Sequence, residues 1–144
     1  MDAIKLEFDV GTTDAKCKLG VRVLLDNNII CDNPHVTKTV HISHELDDTD
    51  GEHVLAIELY GKLPEHTKIT KTGEIVSDVL LEINNMTLDG IDLDQIFQSL
   101  AVYHHDFNGT QSAVVDQFHG SMGCNGTVTL KFTTPIYLWL LENM

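Results

Sequence analysis

The sequence predicts an antiparallel β-sandwich with one or two short helices in its C-terminal half. Short segments in which apolar and polar residues alternate recur along the chain, as in strands with one buried face. Clusters of Asp, Asn, Gly and Pro separate these segments, and no regular succession of strand and helix indicates a parallel sheet. No internal repeat or shift in composition divides the 144 residues, so we expect one domain over residues 1–144.

Alternating segments predict strands in both halves of the chain. Residues 4–10 are the most regular, with apolar and charged residues in strict succession. Because successive side chains of a strand point to opposite faces, one face of each segment is expected to be buried. Five short strands are predicted in this way: 4–10, 17–25, 29–31, 66–70 and 127–133.

Two longer strands, 36–46 and 53–61, flank an acidic turn. Their closeness in the chain predicts a β-hairpin with a five-residue loop. In the simplest register Glu45 faces His53 across the turn as a charge pair. The second arm is apolar at almost every position, which predicts a central strand covered on both faces.

Residues 73–93 carry the longest apolar strand pattern and organise the rest of the chain. The apolar phase slips by one residue at Asn84 and Asn85. A one-residue slip in a regular strand predicts a β-bulge that bends the strand and changes which positions face the core. Four residues on either side of the bulge are therefore expected to be buried: Leu81, Ile83, Met86 and Leu88.

Helices are predicted only in the C-terminal half. Asp92 is a suitable N-cap, and apolar residues at helical spacing follow it to about residue 103. Residues 112–119 favour a second helix of one or two turns, closed by a glycine. Residues 136–142 are apolar without a break, and this pattern fits either a terminal helix or a buried strand.

The net charge of −13, from 22 acidic and 9 basic residues, limits the classes of partner that the protein is expected to bind. A chain this acidic repels nucleic-acid phosphates and anionic lipids, so we expect neither nucleic acid nor membrane as a partner. No apolar run approaches the roughly 18 residues of a membrane span. Three widely spaced cysteines indicate a reducing interior, and the first residues do not resemble a signal peptide.

Four segments carry a resemblance to a known family. They are 59–70 (LYGKLPEHTKIT), 73–83 (GEIVSDVLLEI), 125–127 (NGT) and 134–143 (TPIYLWLLEN). They are similar to uncharacterised small β-rich proteins of marine tailed phages, chiefly cyanophages. The resemblance implies a bacteriophage protein with a fold like the jelly rolls that bind carbohydrate. It also implies a location in the host cytoplasm or the virion, and it carries no catalytic residue.

The acidic turn is the strongest metal candidate in the sequence. Clustered carboxylates beside a glycine can supply several of the oxygens that calcium needs, and Asp47, Asp48 and Asp50 are the candidate ligands. The spacing does not fit an EF-hand, and a solvated hairpin turn explains the same residues. Calcium is the one cofactor that the sequence leaves open.

A weaker metal candidate lies at His104 and His105. Imidazoles are ligands for transition metals, and His119 could complete a set with them. Adjacent strand or loop residues point in different directions, however, so proximity in sequence does not place both rings on one ion.

No catalytic motif appears, so we expect a protein that is not an enzyme. The serines lack a nucleophile elbow, and no glycine-rich loop carries a lysine for phosphate. The four aromatics that could stack on a sugar sit in or beside apolar runs, which predicts packing in the core or a subunit interface: Tyr60, Tyr103, Tyr137 and Trp139.

Three function classes fit these observations. The first is a structural or interaction protein that forms a homo-oligomer or joins the virion, because residues 137–141 form an apolar segment of the kind that seals subunit interfaces. The second is a glycan-binding module, assisted by calcium at the acidic turn. The third is a host-takeover factor whose acidic surface blocks a basic site.

Overall fold

Two antiparallel sheets and two short helices in the C-terminal half confirm the predicted β-sandwich. The computed structural model describes residues 3–14, 18–47, 51–61, 68–69, 75–77, 79–105, 114–118, 120–122 and 125–143. Within these ranges, neither helix is long and apolar enough to cross a membrane.

The first sheet contains five strands. They are β1 (Ala3–Thr12), β4 (Val40–Asp47), β8 (Leu81–Leu88), β9 (Ile91–Asp92) and β12 (Ser121–Met122). The strand order is β12-β8-β1-β4, with β9 paired to β8. β1 pairs antiparallel with β4 over eight residues and with β8 on its other side, so it is the centre of this sheet.

The second sheet contains six strands. They are β2 (Gly20–Leu25), β3 (Asn28–Asn33), β5 (Gly51–Tyr60), β10 (Val102–His105), β11 (Val114–Gln117) and β13 (Gly126–Thr134). Their order is β11-β10-β13-β5-β2-β3. A separate two-stranded pair is formed by β6 (Lys68–Ile69) and β7 (Ile75–Ser77).

The core lies between the two sheets and follows the alternation of the sequence. In β1 the buried positions are every second residue, and the same holds in β2 from Val21 onward, in β13 and in the C-terminal part of β5. Burial of one such apolar side chain is worth about 1.5–3 kcal/mol, so the summed inward faces supply the main stabilisation. The largest fully buried side chains include Phe8, Phe97 and Phe118.

The bulge predicted at Asn84 and Asn85 is confirmed. The register between β1 and β8 shifts between Glu7 and Asp9, and Asn85 has a φ of 58°. A residue in the left-handed region adds the extra position that lets the strand keep its apolar face inward. All four flanking residues are buried as predicted, at 3% exposure or less: Leu81, Ile83, Met86 and Leu88.

The long segment 73–93 is nevertheless not one strand. Its strand β8 begins at Leu81, and β7 pairs with β6 instead of with either large sheet. A turn with positive φ at Asp89 and Gly90 then reverses the chain into β9. Between residues 79 and 88 the apolar pattern predicted burial correctly, but it could not show where the hydrogen-bond partners change.

The predicted hairpin between 36–46 and 53–61 is wrong. β4 lies in the first sheet and β5 in the second, so Glu45 pairs with Lys5 and His53 pairs with Phe132. β5 is the central strand that its composition predicted, and β13 and β2 occupy both of its edges. The expectation that both of its faces are covered is wrong, because its outward residues from Val54 to Tyr60 are exposed or half-buried. No edge of β5 remains for β4, which pairs with β1 instead.

The predicted helices are partly correct. Helix α1 (Asp94–Leu100) follows Asp92, whose carboxylate accepts the Asp94 N–H at 2.9 Å, although Leu93 occupies the N-cap. It ends at Leu100, because the backbone of Ala101 is extended and leads into β10. Helix α2 (Ile136–Asn143) settles the C-terminal alternative in favour of a helix.

The second helix predicted at 112–119 is wrong, because residues 114–117 form β11. This strand pairs antiparallel with β10, which offers it a free edge. The two adjacent valines at positions 114 and 115 favour extended backbone, and the pairing outweighs the weak helical pattern.

Because of the bulge, we expect substitutions at Asn84 and Asn85 to have unequal effects on the free energy of unfolding. Asn85→Val should lower the free energy of unfolding by about 1–3 kcal/mol, because a β-branched residue is strained at positive φ. It also removes the hydrogen bond from the Asn85 amide to Asp9. Asn84→Val is the matched control, since Asn84 is exposed and its φ is not positive. Equal losses in urea unfolding would contradict the bulge.

Candidate functional site

Of the three residues predicted to bind calcium, the structure describes Asp47, which is the last residue of β4. Asp47 is exposed and pairs with Ala3 in the register between β1 and β4. Together with Glu45 and Leu46 these two residues line an open depression of about 300 Å³. Asp48 and Asp50 lie outside the described residues, so the calcium site stays a prediction.

The structure separates the two histidines of the weaker metal candidate. His104 and His105 are neighbours in β10, so their side chains point to opposite faces of the sheet. His105 Nε2 lies 2.7 Å from Asp116 Oδ2, and its ring lies 4.4 Å from that of Tyr103. His119 lies outside the described residues. Within the part of the chain that is described, no three His, Cys, Asp or Glu side chains form a metal-binding group.

Helix α2 is apolar on both its sides. Its inner side packs Ile136, Trp139 and Leu140 into the core. Three residues on the opposite side, which we call the outer face of α2, are largely exposed: Tyr137 at 52%, Leu138 at 59% and Leu141 at 72%. Glu142 is the one charged residue of the helix. Three of the eight residues of α2 thus present a concentrated apolar surface to solvent.

A groove of about 440 Å³ lies between α1 and α2, which we call the helix groove. Four of its eight lining residues are apolar, namely Ile91, Ile96, Leu100 and Leu140, and the other four are polar. Leu100 is 41% exposed at its rim. Tyr137 donates a hydrogen bond from its hydroxyl to Asp89 at 3.3 Å, which links α2 to the turn after β8.

A second groove, of about 460 Å³, lies where β5 begins and β13 ends. His53 stacks on Phe132 with 5.2 Å between ring centroids, and Trp139 meets Phe132 edge-on at 6.1 Å. Phe132 and Trp139 are only 2% and 6% exposed. Their ring faces are therefore occupied by the core and are not open to a ligand.

Asp26 ties this second groove to the β2–β3 turn. His53 Nδ1 lies 2.7 Å from Asp26, and its Nε2 lies 3.2 Å from the Thr134 hydroxyl. Burial raises the pKa of Asp26, but hydrogen bonds from His53 and from the Val54 N–H outweigh it, so the pKa lies below its ordinary value. The chain Asp26–His53–Thr134 joins three elements of the second sheet.

Four polar side chains form a connected array on the outer side of the second sheet: Arg22, Asp32, Glu58 and Tyr60. We call them the Arg22 array. Arg22 lies between two carboxylates, with a nitrogen 3.0 Å from Glu58 and another 3.4 Å from Asp32. Tyr60 donates its hydroxyl proton to Asp32 at 2.6 Å. Arg22 is the cross-strand partner of both acids, so strand register alone brings them together.

Tyr60 is held against the sheet by a glycine. A Cβ on Gly20 would lie 2.5 Å from the Tyr60 ring, so only glycine lets the ring lie over β2 at this position. The Arg22 guanidinium carbon is 5.1 Å from the ring centroid, within the range of a cation–π contact. Tyr60 thus lies on the outer surface of the sheet, whereas Tyr103 and Trp139 pack in the core as predicted.

The contacts of the Arg22 array shift two pKa values. The Tyr60 hydrogen bond lowers the pKa of Asp32, and the hydrogen bond from Arg22 lowers it further. The same bond to Asp32 raises the pKa of Tyr60. Sequence reasoning missed this array, because its members come from three strands. The signal in the sequence was one charged residue in each of the three strands, Arg22, Asp32 and Glu58, which the register aligns.

Comparisons with known proteins give one structural likeness. No family model and no curated protein matches the chain. A solved structure described as "vCBM60 in complex with galactobiose" aligns with a TM-score of 0.46 and 11% identity, over 90% of this chain and 97% of that one. These values are too low to carry a ligand from that protein to this chain.

The array predicts a pH-dependent contact. Tyr60→Phe keeps the ring but removes the hydroxyl donor, so the pKa of Asp32 should rise toward its ordinary value in a carboxyl NMR titration. Because the folded-state pKa of Asp32 is lowered, the contact stabilises the fold above the unfolded pKa and is lost as the pH falls through the folded one. Glu58→Gln, which leaves Tyr60 in place, should not raise that pKa. An unchanged value in Tyr60→Phe would contradict the array.

Proposed function

We propose that the protein is a non-enzymatic interaction protein that self-associates through the outer face of α2. The observation that carries the proposal is the exposure of Tyr137, Leu138 and Leu141 on one side of an eight-residue helix. In keeping with the sequence resemblance, we propose that it acts in a phage virion or in the host cytoplasm.

Leaving this apolar surface in water is unfavourable. Burying one leucine side chain completely stabilises a protein by about 1.5–3 kcal/mol, and two leucines three residues apart, Leu138 and Leu141, are exposed here. A helix that is apolar on all sides is normally covered on all sides. A second copy of the chain would cover the outer face of α2 without any change to the core.

The helix groove supplies a place for the exposed leucines. Its apolar wall at Ile96 and Leu100 adjoins Leu140 of α2, so a partner helix laid across the groove would meet apolar side chains. A two-fold arrangement is self-complementary, since each copy would offer the same helix and the same groove. The charged residues at this surface, Asp89, Asp92 and Glu142, are all acidic, so the burial of apolar side chains has to outweigh their repulsion.

The second candidate function is binding of a glycan. The observation that favours it is the Arg22 array, which combines an arginine, two carboxylates and an aromatic ring on a sheet surface. Calcium assistance through Asp47, Asp48 and Asp50 is part of this candidate. A glycan array probed with and without a chelator tests it: loss of binding with chelator supports the calcium part, and no binding in either condition removes the candidate.

Self-association is tested by charge substitutions on α2. The wild type should be a homo-oligomer in light scattering at micromolar concentration, and Leu138→Glu with Leu141→Glu should return it to the monomer mass. The reason is that two carboxylates would have to be buried at the interface without partners.

The matched control is Val115→Glu. Val115 is 60% exposed, close to the exposure of Leu138, but it lies on β11 at the edge of the second sheet. This variant should keep the mass of the wild type. A wild-type protein that is a monomer throughout the concentration range would overturn the proposal.

A further inference from the structure

We infer that the Arg22 array is the binding site for a neutral oligosaccharide and that it holds a pair of neighbouring sugar hydroxyls. This inference rests on the glycan-binding candidate above and adds to it the site and the ligand class.

The array keeps polar groups available on its solvent side. The side chains of Arg22, Glu58 and Asp32 are 35%, 34% and 41% exposed. Arg22 has five N–H donors, and its contacts with described residues use Nε and one terminal nitrogen. Among the described residues, the second terminal nitrogen of Arg22 donates to no acceptor, and Oε2 of Glu58 accepts from no donor. A donor thus lies beside an acceptor.

A pair of neighbouring hydroxyls matches this arrangement. Each hydroxyl can donate one hydrogen bond and accept others, so one can accept from the Arg22 guanidinium while the other donates to Glu58. Hydrogen bonds to charged groups are stronger than those between neutral groups. A ligand with only acceptors, such as a phosphate, would leave Glu58 facing a like charge.

The side chains are already fixed before a ligand arrives. Arg22 is held between Glu58 and Asp32, and Tyr60 is held by Asp32 and by its contact over Gly20. Long side chains normally lose conformational freedom on binding, and this loss lowers affinity. Here the contacts within the array have already restricted them, so the array is preorganised.

An apolar row lies beside the array on the same side of the sheet. Leu24 is the cross-strand partner of both Ala56 and Ile29, and Ile29 is 59% exposed. This row is two residues further along β2 than Arg22, a separation of about 7 Å. One sugar ring can therefore place hydroxyls on the array and its C–H face on the row.

The negative charge of the array and of the whole chain favours neutral over anionic sugars. The array itself holds one arginine and two carboxylates, and the whole chain carries −13. Sulfated, phosphorylated or sialylated glycans would meet repulsion both locally and at long range. The groove at His53 does not compete as a sugar site, because its aromatic rings are buried by the core.

The test begins with the wild-type protein on an array of neutral and anionic oligosaccharides. The best neutral ligand among cello-, xylo-, manno- and galacto-oligosaccharides is then titrated while the backbone amide signals are followed by NMR. We expect the largest shifts in β2, β3 and β5. We also expect Arg22→Gln and Glu58→Gln each to weaken binding by roughly tenfold or more.

Lys131→Ala is the matched control, because Lys131 lines the other groove of the same sheet. It should bind as the wild type does. The wild-type amide shifts do not depend on any substitution, so they locate the site even if Arg22→Gln fails to fold.

The experiment distinguishes failure of the proposed site from failure of the glycan-binding candidate. Neutral sugar binding with amide shifts elsewhere, or binding that Arg22→Gln and Glu58→Gln leave unchanged, overturns this site and leaves the glycan-binding candidate standing. Binding of anionic glycans alone overturns the ligand class. No binding of any glycan by the wild type overturns both the site and that candidate, whereas self-association through α2 is unaffected.

Discussion

The structure depends on the covering of apolar surface. The two sheets cover this surface between them, but the outer face of α2 stays exposed. Between the sheets, the inward faces of β1, β2, β5, β8 and β13 cover one another almost completely. Helix α2 closes this core with Ile136, Trp139 and Leu140. Because every residue from 136 to 141 is apolar, the same helix cannot cover its own outer side. The packing that completes the core therefore creates the surface proposed for self-association.

Strand register has a comparable role on the outer side of the second sheet. Each of Arg22, Asp32 and Glu58 alternates with a residue that points the other way, and the pairing of β3, β2 and β5 places them in one row. No dedicated loop is needed to build this array. Gly20 contributes by its lack of a side chain, since that absence lets Tyr60 lie across the strand. A polar surface of this kind follows from register as directly as the core does.

Local pattern predicted the fold class, the buried faces and the bulge at Asn85, because these features depend on alternation along a single segment. It did not predict the partners of each strand. The supposed hairpin of β4 and β5 was wrong because β13, far along the chain, occupies the edge that β4 would need. The Arg22 array was missed for the same reason, since it exists only after three strands are aligned. The predicted metal ligands Asp48, Asp50 and His119 lie outside the described residues, so their assignment as ligands rests on the sequence alone.

The central claim, that the outer face of α2 is covered in solution by a second copy, is tested most directly by hydrogen–deuterium exchange at low and high protein concentration. We expect slower exchange at high concentration in peptides that cover α2 and α1, with unchanged exchange in β1, β5 and β13. Exchange that is the same in α2 at both concentrations would contradict it.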